Sequence, residues 1–364
     1  MATPITPVVQ RPRPPAHGAA RKAGGKAGSW QAGVGQGLKG LSFEDQADTV
    51  QPSRGSNKLP TAVIHPGLLE VQQERVQPAA QAERPRQATT PATPATTPAA
   101  PARSETGIAS RVAMTRFTTA AAALNADWSK LDANGRGQKL GKAANDELKA
   151  ASVPETTVQV KALPTNNGEF GFSGWTLDLN ERLFQRPTIV PPLLADVADT
   201  VYHEARHCEQ WFRMARLEAG KGKDGTAIAQ ALSIPKRIGD LAAAAPLRTD
   251  TAEGREAQTW YDSIYGANGA ARNTTLNNMA AKSLELQAAL TTCNADKAAY
   301  EALPATATAG QKQTAYDKAM ASYAVWQRLN TEYDVLYRAY RALPEEADAW
   351  ATGGAAGTRM RGTP

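Results

Sequence analysis

Two histidines and one glutamate in a single short segment have the spacing needed to bind a metal ion and activate a water. The segment is His203-Glu204-Ala205-Arg206-His207, in a chain of 364 residues with four histidines. On a helix, residues four apart lie one turn apart on the same face, so both imidazoles can reach one ion. A glutamate directly after the first histidine can take a proton from a metal-activated water. The pattern predicts a zinc-dependent hydrolase and favours a peptidase.

The alternative interpretation of this segment is an amphipathic helix that carries two exposed histidines. The other two histidines, His17 and His65, lie in a proline-rich region far from it, so the clustering is difficult to attribute to chance. We therefore expect His203 and His207 to be zinc ligands and Glu204 to be the general base.

A zinc site needs a third protein ligand, and the sequence has no histidine after His207. The position six residues further on, where metzincins have a third histidine, holds Arg213. The third ligand must therefore be a carboxylate or, as a less favoured choice, Cys293. The acidic run from Leu343 to Ala351 is the best candidate, although acidic residues after a proline also simply complement a helix dipole. Other carboxylates that the pattern leaves open are Glu253, Glu256 and Glu285.

The metal-binding segment lies inside a predicted long helix, from about Leu193 to Leu217. Pro191-Pro192 is typical of a helix start, and the helix is expected to end near Gly220. The histidines project away from an apolar stripe, so we expect one buried side and a cleft on the other. The stripe consists of Leu194, Val197, Ala198, Val201, Ala205, Cys208, Phe212 and Ala215.

The residues before this helix predict two helices and a β-hairpin. The first helix covers 106–129, and the second begins at Gln138 after a break at Gly135-Arg136-Gly137. Alternating residues at 156–163 and from Phe170 to Leu179 predict two strands joined by a turn. The second strand is a candidate edge for binding an extended peptide.

Beyond Gly220 the pattern is almost entirely helical. The two longest helices, about 273–302 and 310–341, predict an antiparallel hairpin turned at Leu303-Pro304. A last short helix starts at Pro344 and fades by Gly353-Gly354. The expected fold class is mainly α with a small β-hairpin or sheet (α+β). The remaining predicted helical segments are 227–244, interrupted at Pro235, and 253–265.

Residues 1–105 differ from the rest in composition. They hold 14 of the 24 prolines and 12 Lys+Arg against 7 Asp+Glu, which accounts for +5 of the net charge of +6. Such a segment cannot bury enough apolar surface to fold, so it is predicted to be a disordered tail. Its most apolar part, Lys58 to Gln73, is the expected docking segment.

Several classes of function are disfavoured by the same composition. The positive charge belongs to the predicted tail, and no basic groove with interleaved aromatics is apparent, so nucleic-acid binding is not expected. No apolar run reaches the length of a membrane span, and the first residues have no signal-peptide pattern. If the protein leaves its cell, we expect it to do so by a non-classical route.

The metal-binding helix also resembles a known family. His203 to Gln210, followed by Trp211-Phe212-Arg213-Met214-Ala215-Arg216, resembles the active helix of zincin-like peptidase domains encoded near bacterial contractile injection systems and polymorphic toxins. Leu343 to Trp350 looks like the second half of that pattern. Glu346-Ala347-Asp348 is similar to the Glu-Ala-Asn element of compact gluzincins, in which the glutamate is the third zinc ligand.

The resemblance implies specific site residues. Glu346 is the implied third ligand, with its neighbour Glu345 left open. Asp348 stands where that element has asparagine, and is implied to orient a histidine from outside the ligand set. A group that stabilises the oxyanion is not assigned. The candidates for it are Tyr202, Tyr333, Tyr337 and Tyr340, with Arg338 and Arg341 weaker.

The resemblance also implies a domain organisation and a function. The zincin-like domain would occupy 106–354 with the helical hairpin at 273–341 as an insertion, followed by a flexible C-terminus at 355–364. The function would be that of a zinc-dependent endopeptidase acting on proteins, an effector or toxin delivered from the bacterial cytoplasm by an injection system. The alternative is a catalytically inactive structural or loading component of the particle, with the helical hairpin at 273–341 as its working surface. Particle proteins are expected partners of the N-terminal tail.

Overall fold

Helices make up most of the chain that is described in this computed structural model, which covers residues 106–163 and 166–362. The predicted class, mainly α with a small sheet, is confirmed. The helices are α1 (Arg111–Asp127), α2 (Ala133–Ala150), α3 (Pro191–Gly220), α4 (Gly225–Leu232), α5 (Lys236–Ala244), α6 (Ala252–Ile264), α7 (Gly269–Glu301), α8 (Ala309–Arg341) and α9 (Pro344–Arg361), and the strands are β1 (Thr157–Lys161), β2 (Gly168–Gly171) and β3 (Thr176–Asn180).

The predicted break at Gly135-Arg136-Gly137 is wrong, because α2 runs through it from Ala133. The glycines serve close packing instead of ending the helix. A Cβ on Gly137 would lie 2.4 Å from a methyl carbon of Val160, and one on Gly141 would lie 2.6 Å from Val158. Strand β1 therefore lies directly on α2, at a distance that a larger residue would not allow.

The predicted hairpin between 156–163 and 170–179 is also wrong. The sheet has the order β1-β3-β2, with β1 parallel to β3 and β2 antiparallel to it. The hairpin turn falls at 172–175, inside the segment that was expected to be one strand. Trp175 in that turn has φ of +57° and is fully buried, with its indole N–H donating to the Pro154 carbonyl. Because Trp175 is apolar and buried although it lies in the turn, the alternating pattern continues through the turn and hides it.

Helix α3 crosses the middle of the molecule and is buried on nearly all sides. The predicted apolar stripe is buried as expected, but the opposite side is buried too. His203 and His207 are only 7% and 8% exposed, so their side chains lie deeper than the polar face of an amphipathic helix, and the predicted cleft beside them stays a prediction. Neighbouring elements, above all α9, cover the face on which the histidines lie.

Helix α9 packs antiparallel along α3 through two glycines one turn apart. A Cβ on Gly353 would lie 2.5 Å from Asp199 Oδ1 and 3.0 Å from His203 Cβ, and one on Gly357 would lie 3.1 Å from Asp199 Cβ. The predictions that this helix fades by Gly353 and that 355–364 is flexible are wrong for 355–361, which are helical. The glycines permit close approach of the two helices, which outweighs their low helix propensity.

Helices α7 and α8 form the predicted antiparallel hairpin. Lys282 pairs with Glu332 near its base, and Lys318 pairs with Asp296 further out. The hairpin has its own apolar core, which includes Cys293 and Tyr337 and contacts Trp350 on α9. Because α8 ends at Arg341 and α9 starts at Pro344, the hairpin leads almost directly into the second half of the candidate site.

Within residues 106–163 and 166–362, every helix is too short or too polar to cross a lipid bilayer. The predicted tail, with its candidate docking segment Lys58 to Gln73, lies outside the described residues.

The neighbours Gly353 and Gly354 provide a matched test of the α3–α9 contact. Gly353→Ala should lower the free energy of unfolding by about 1 to 3 kcal/mol, because the new methyl group overlaps Asp199. Gly354→Ala should raise it by up to about 1 kcal/mol, since no atom lies within 4 Å of that position and alanine favours the helix. Urea denaturation of both variants measures the difference. Equal effects would contradict close packing at Gly353.

Candidate metal centre

Three side chains from two helices converge at one point. His203 and His207 project from α3, with their Nε2 atoms 3.1 Å apart. Glu346, in the first turn of α9 and 1% exposed, places its Oε2 atom 3.9 Å from the first of these nitrogens and 3.7 Å from the second. In the part of the chain that the structure describes, this is the one cluster of three such groups able to hold a metal ion.

The triangle of ligand atoms has the size that a zinc ion requires. In a tetrahedral site with bonds of about 2.05 Å, ligand atoms lie about 3.4 Å apart. The three distances here are 3.1, 3.7 and 3.9 Å. Glu346 Oε2 is buried and has no hydrogen-bond partner in the structure, which is costly for a carboxylate oxygen unless a cation satisfies it. The residues therefore fit a resident zinc ion.

The other candidate ligands lie elsewhere or are occupied. Glu345 is not part of the three-residue cluster and pairs with Arg272 at 2.6 Å. Glu256 pairs with Arg213, and Glu285 pairs with Lys282 on the hairpin. Cys293 is buried in the hairpin core, and Glu253 lines a cavity of about 270 Å³ between α1 and α3. Geometry thus favours Glu346 among the alternatives that the sequence left open.

Glu204 lies beside the cluster and is held by the sheet. Its Oε2 accepts a hydrogen bond of 2.9 Å from the backbone N–H of Phe170 in β2. Desolvation, together with the nearby Glu346 charge, raises the pKa of Glu204 to about 7 against the opposing effect of His207. A carboxylate in this position can accept a proton at neutral pH and return it.

The protonation states of the three clustered residues are close to those that metal binding requires. Desolvation and the neighbouring His207 lower the pKa of His203 to about 3, so this imidazole is neutral. Burial opposes charge on both His207 and Glu346, but their mutual attraction outweighs it and keeps the carboxylate ionised. Tyr340 also hydrogen-bonds to that carboxylate. Binding a cation at the cluster would therefore displace a proton from His207 alone.

Gln210 sets the orientation of His207, and the sequence analysis did not predict this role. Its amide nitrogen is 2.8 Å from both the Glu345 carbonyl and Asp348 Oδ2, which are acceptors only. The amide oxygen must therefore face His207, where it accepts the Nδ1–H bond at 2.8 Å. The lone pair of His207 Nε2 is then directed towards the cluster. The available signal was the spacing of three residues after His207, which puts both on one helix face.

Asp348 reaches the histidines through Gln210, and its main partner is a buried arginine. Arg206 is fully buried, and its Nε lies 2.7 Å from Asp348 Oδ2. The same guanidinium pairs with Glu209, which also accepts from Arg213 and from the Ile108 backbone N–H. This chain of buried charges ties α3 and α9 to the residues that precede α1. The implied role of Asp348, orienting a histidine, stays a prediction in which Gln210 is the intermediary.

The tyrosines considered for oxyanion binding are differently placed. Tyr202 is fully buried and donates its hydroxyl to the Ile108 carbonyl at 2.7 Å, so it cannot reach a substrate. Tyr340 binds Glu346, and Tyr333 stacks on Tyr337 inside the hairpin core. None of these placements identifies an oxyanion donor.

Comparison of this chain with protein-family models, with curated proteins and with solved structures returns no match.

The role of Gln210 predicts weaker metal binding in Gln210→Met. Loss of the acceptor frees the His207 ring to turn, and such losses typically weaken metal affinity about 10- to 100-fold. Competition with a chromophoric chelator measures zinc affinity, with Gln327→Met, at an exposed position on α8, as the control. Unchanged affinity in Gln210→Met would contradict the role.

Asp199, beside the glycines of α9, predicts a pH-dependent stability. Burial raises its pKa to about 6, and Arg361 only partly offsets this. The folded state therefore binds more protons than the unfolded state between pH of about 4 and 6, and stability falls as pH rises through that window. Asp199→Asn should remove this loss, stabilising the protein at pH 7 by at most about 3 kcal/mol and leaving it little changed at pH 4.

Urea denaturation at several pH values tests this expectation, with Asp317→Asn, at an exposed position on α8, as the control. A gain in Asp199→Asn that is the same at pH 4 and pH 7 would show that titration of this carboxyl is not its source.

Proposed function

We propose that this protein is a zinc-dependent endopeptidase with a zincin-like active site. His203, His207 and Glu346 would hold the metal, and Glu204 would be the general base. The observation that carries the proposal is the triangle of three ligand atoms within 4.8 Å of one another, with an unsatisfied carboxylate oxygen at one corner. When bound there, zinc would supply Lewis-acid activation of a water and of the substrate carbonyl.

Glu204 has the position that proton transfer requires. Helix α3 carries it one residue after His203, and the Phe170 N–H holds one of its oxygens. The second oxygen is left to receive a proton and to pass it to the leaving amine. Its low-dielectric surroundings raise its pKa towards neutral pH, where a carboxylate can both accept and release a proton.

Strand β2 supports a peptide substrate more than a small one. It is an edge strand, and the pairing of Asn167 with Asn180 directs the backbone groups of Gly168 and Phe170 away from β3. Because Phe170 contacts Glu204, this edge runs beside the candidate metal centre. Because the Phe170 N–H is held by Glu204, an extended peptide would add to this edge through the Phe170 carbonyl and the backbone groups of Gly168, with its own backbone close to the site. The predicted binding strand, Phe170 to Leu179, is wrong for 176–179, which lie in the central strand β3, so the proposal uses the edge strand β2 instead.

The delivery of this protein by a contractile injection system stays a prediction from the resemblance of its motifs. So does the contact of the tail with particle proteins. The inactive structural or loading component remains the competing interpretation, and turnover distinguishes the two.

Glu204→Gln separates these interpretations. The variant should keep its zinc, because Glu204 is not a ligand, and should lose cleavage of a proteome-derived peptide library by at least about 100-fold. Mass spectrometry of the products and metal analysis of the same samples give both values. Glu155→Gln, at an exposed position away from the site, is the control. Zinc-loaded wild type that cleaves nothing would favour the inactive component.

A further inference from the structure

Arg341 is the last residue of α8, and the indole ring of Trp350 lies between it and His203 of the candidate metal centre. Its guanidinium carbon is 4.4 Å from the ring centre of Trp350 and 5.9 Å from that of Tyr337. The Trp350 ring is in turn 4.7 Å from the ring of His203. The guanidinium carbon of Arg341 therefore lies no further from the centre of the His203 ring than the sum of these two distances.

Among the described residues, no carboxylate forms an ion pair with Arg341. Arg206, Arg213 and Arg272, the buried arginines near the site, are each paired with carboxylates. Arg341, by contrast, makes only ring contacts among the described residues. Asp199 lies close enough to feel its charge but forms no ion pair with it. A guanidinium has five N–H donors, so Arg341 can accept an acidic partner without displacing one of its own.

The two aromatic rings make Arg341 a prepared binding group. Both rings lie within cation–π distance of the guanidinium and restrict its rotation, and the half-buried side chain keeps part of its surface accessible. The N–H donors of a guanidinium lie along its edge. Such an edge matches both oxygens of a carboxylate. Ordering an arginine costs conformational entropy on binding, and the stacking has already offset part of that cost.

We propose that Arg341 binds a carboxylate of the substrate, so that peptides bearing an acidic group near the scissile bond are preferred. This inference rests on the proposed peptidase function. The carboxylate is either an acidic side chain within the peptide or its free C-terminus, and both present the same two oxygens. Neutral peptides gain nothing from Arg341, and basic ones are repelled.

Binding measurements test this without turnover. The zinc-loaded full chain carrying Glu204→Gln is titrated calorimetrically with three alanine-rich decapeptides of equal length. One is neutral and capped at both ends, one has a central glutamate and capped ends, and one has a free C-terminus. At least one acidic peptide should bind about tenfold or more tightly than the neutral one. Which of the two does so identifies the source of the carboxylate.

Variants of Arg341 test whether this side chain causes the preference for acidic peptides. Arg341→Gln should abolish it, and Arg341→Lys should weaken it while keeping the charge and most of the packing, because lysine lacks the paired donors. Arg338→Gln removes an exposed arginine one turn earlier on the same helix and should leave the preference intact. Equal binding of the three peptides, no measurable binding of any, or a preference that survives Arg341→Gln would overturn the proposal.

The outcome is separate from that of the peptidase proposal. Cleavage by the wild type without any preference for acidic peptides would reject the role of Arg341 alone. An Arg341-dependent preference in a protein that never cleaves would reject the peptidase and keep the binding site.

Discussion

The antiparallel contact between α3 and α9 is the constraint on which the candidate site depends. His207 and Glu346 are more than a hundred residues apart in sequence, and they meet only because the two helices approach closely at Gly353 and Gly357. A shift of α9 by one turn would move Glu346 by about 5.4 Å, well beyond the reach of a shared metal ion. The geometry of the site is therefore a property of helix packing more than of any loop.

Buried charge fixes the register of that contact. Apolar surfaces can slide past each other at small cost, but Arg206 is fully buried and its partner Asp348 lies on α9. Separating them would break two hydrogen bonds between charged groups and leave the Asp348 carboxylate without its cation, although Arg206 would keep Glu209. The same aspartate accepts from Gln210, which orients His207. One ion pair thus links the position of α9 to the direction of a candidate ligand.

The sequence predicted the parts of this arrangement that depend on local pattern. The helix with its two histidines, the antiparallel hairpin and the acidic run that contains Glu346 all follow from spacing within one element. The errors fall where a residue serves a distant neighbour. Gly137 and Gly353 are typical of helix breaks when read alone, yet each makes room for another element. The turn that contains Trp175 and the role of Gln210 likewise depend on contacts with residues far away in sequence, which a periodic pattern cannot predict.

Metal stoichiometry tests the central claim, the three-residue site, most directly. Native mass spectrometry of the wild type, Glu346→Ala and Glu345→Ala, each purified with zinc and then dialysed, compares the two adjacent carboxylates. A site made of His203, His207 and Glu346 predicts one zinc ion per chain in the wild type and in Glu345→Ala, and loss of most zinc in Glu346→Ala. Zinc retained in full by Glu346→Ala, or absent from the wild type after reconstitution, would contradict it.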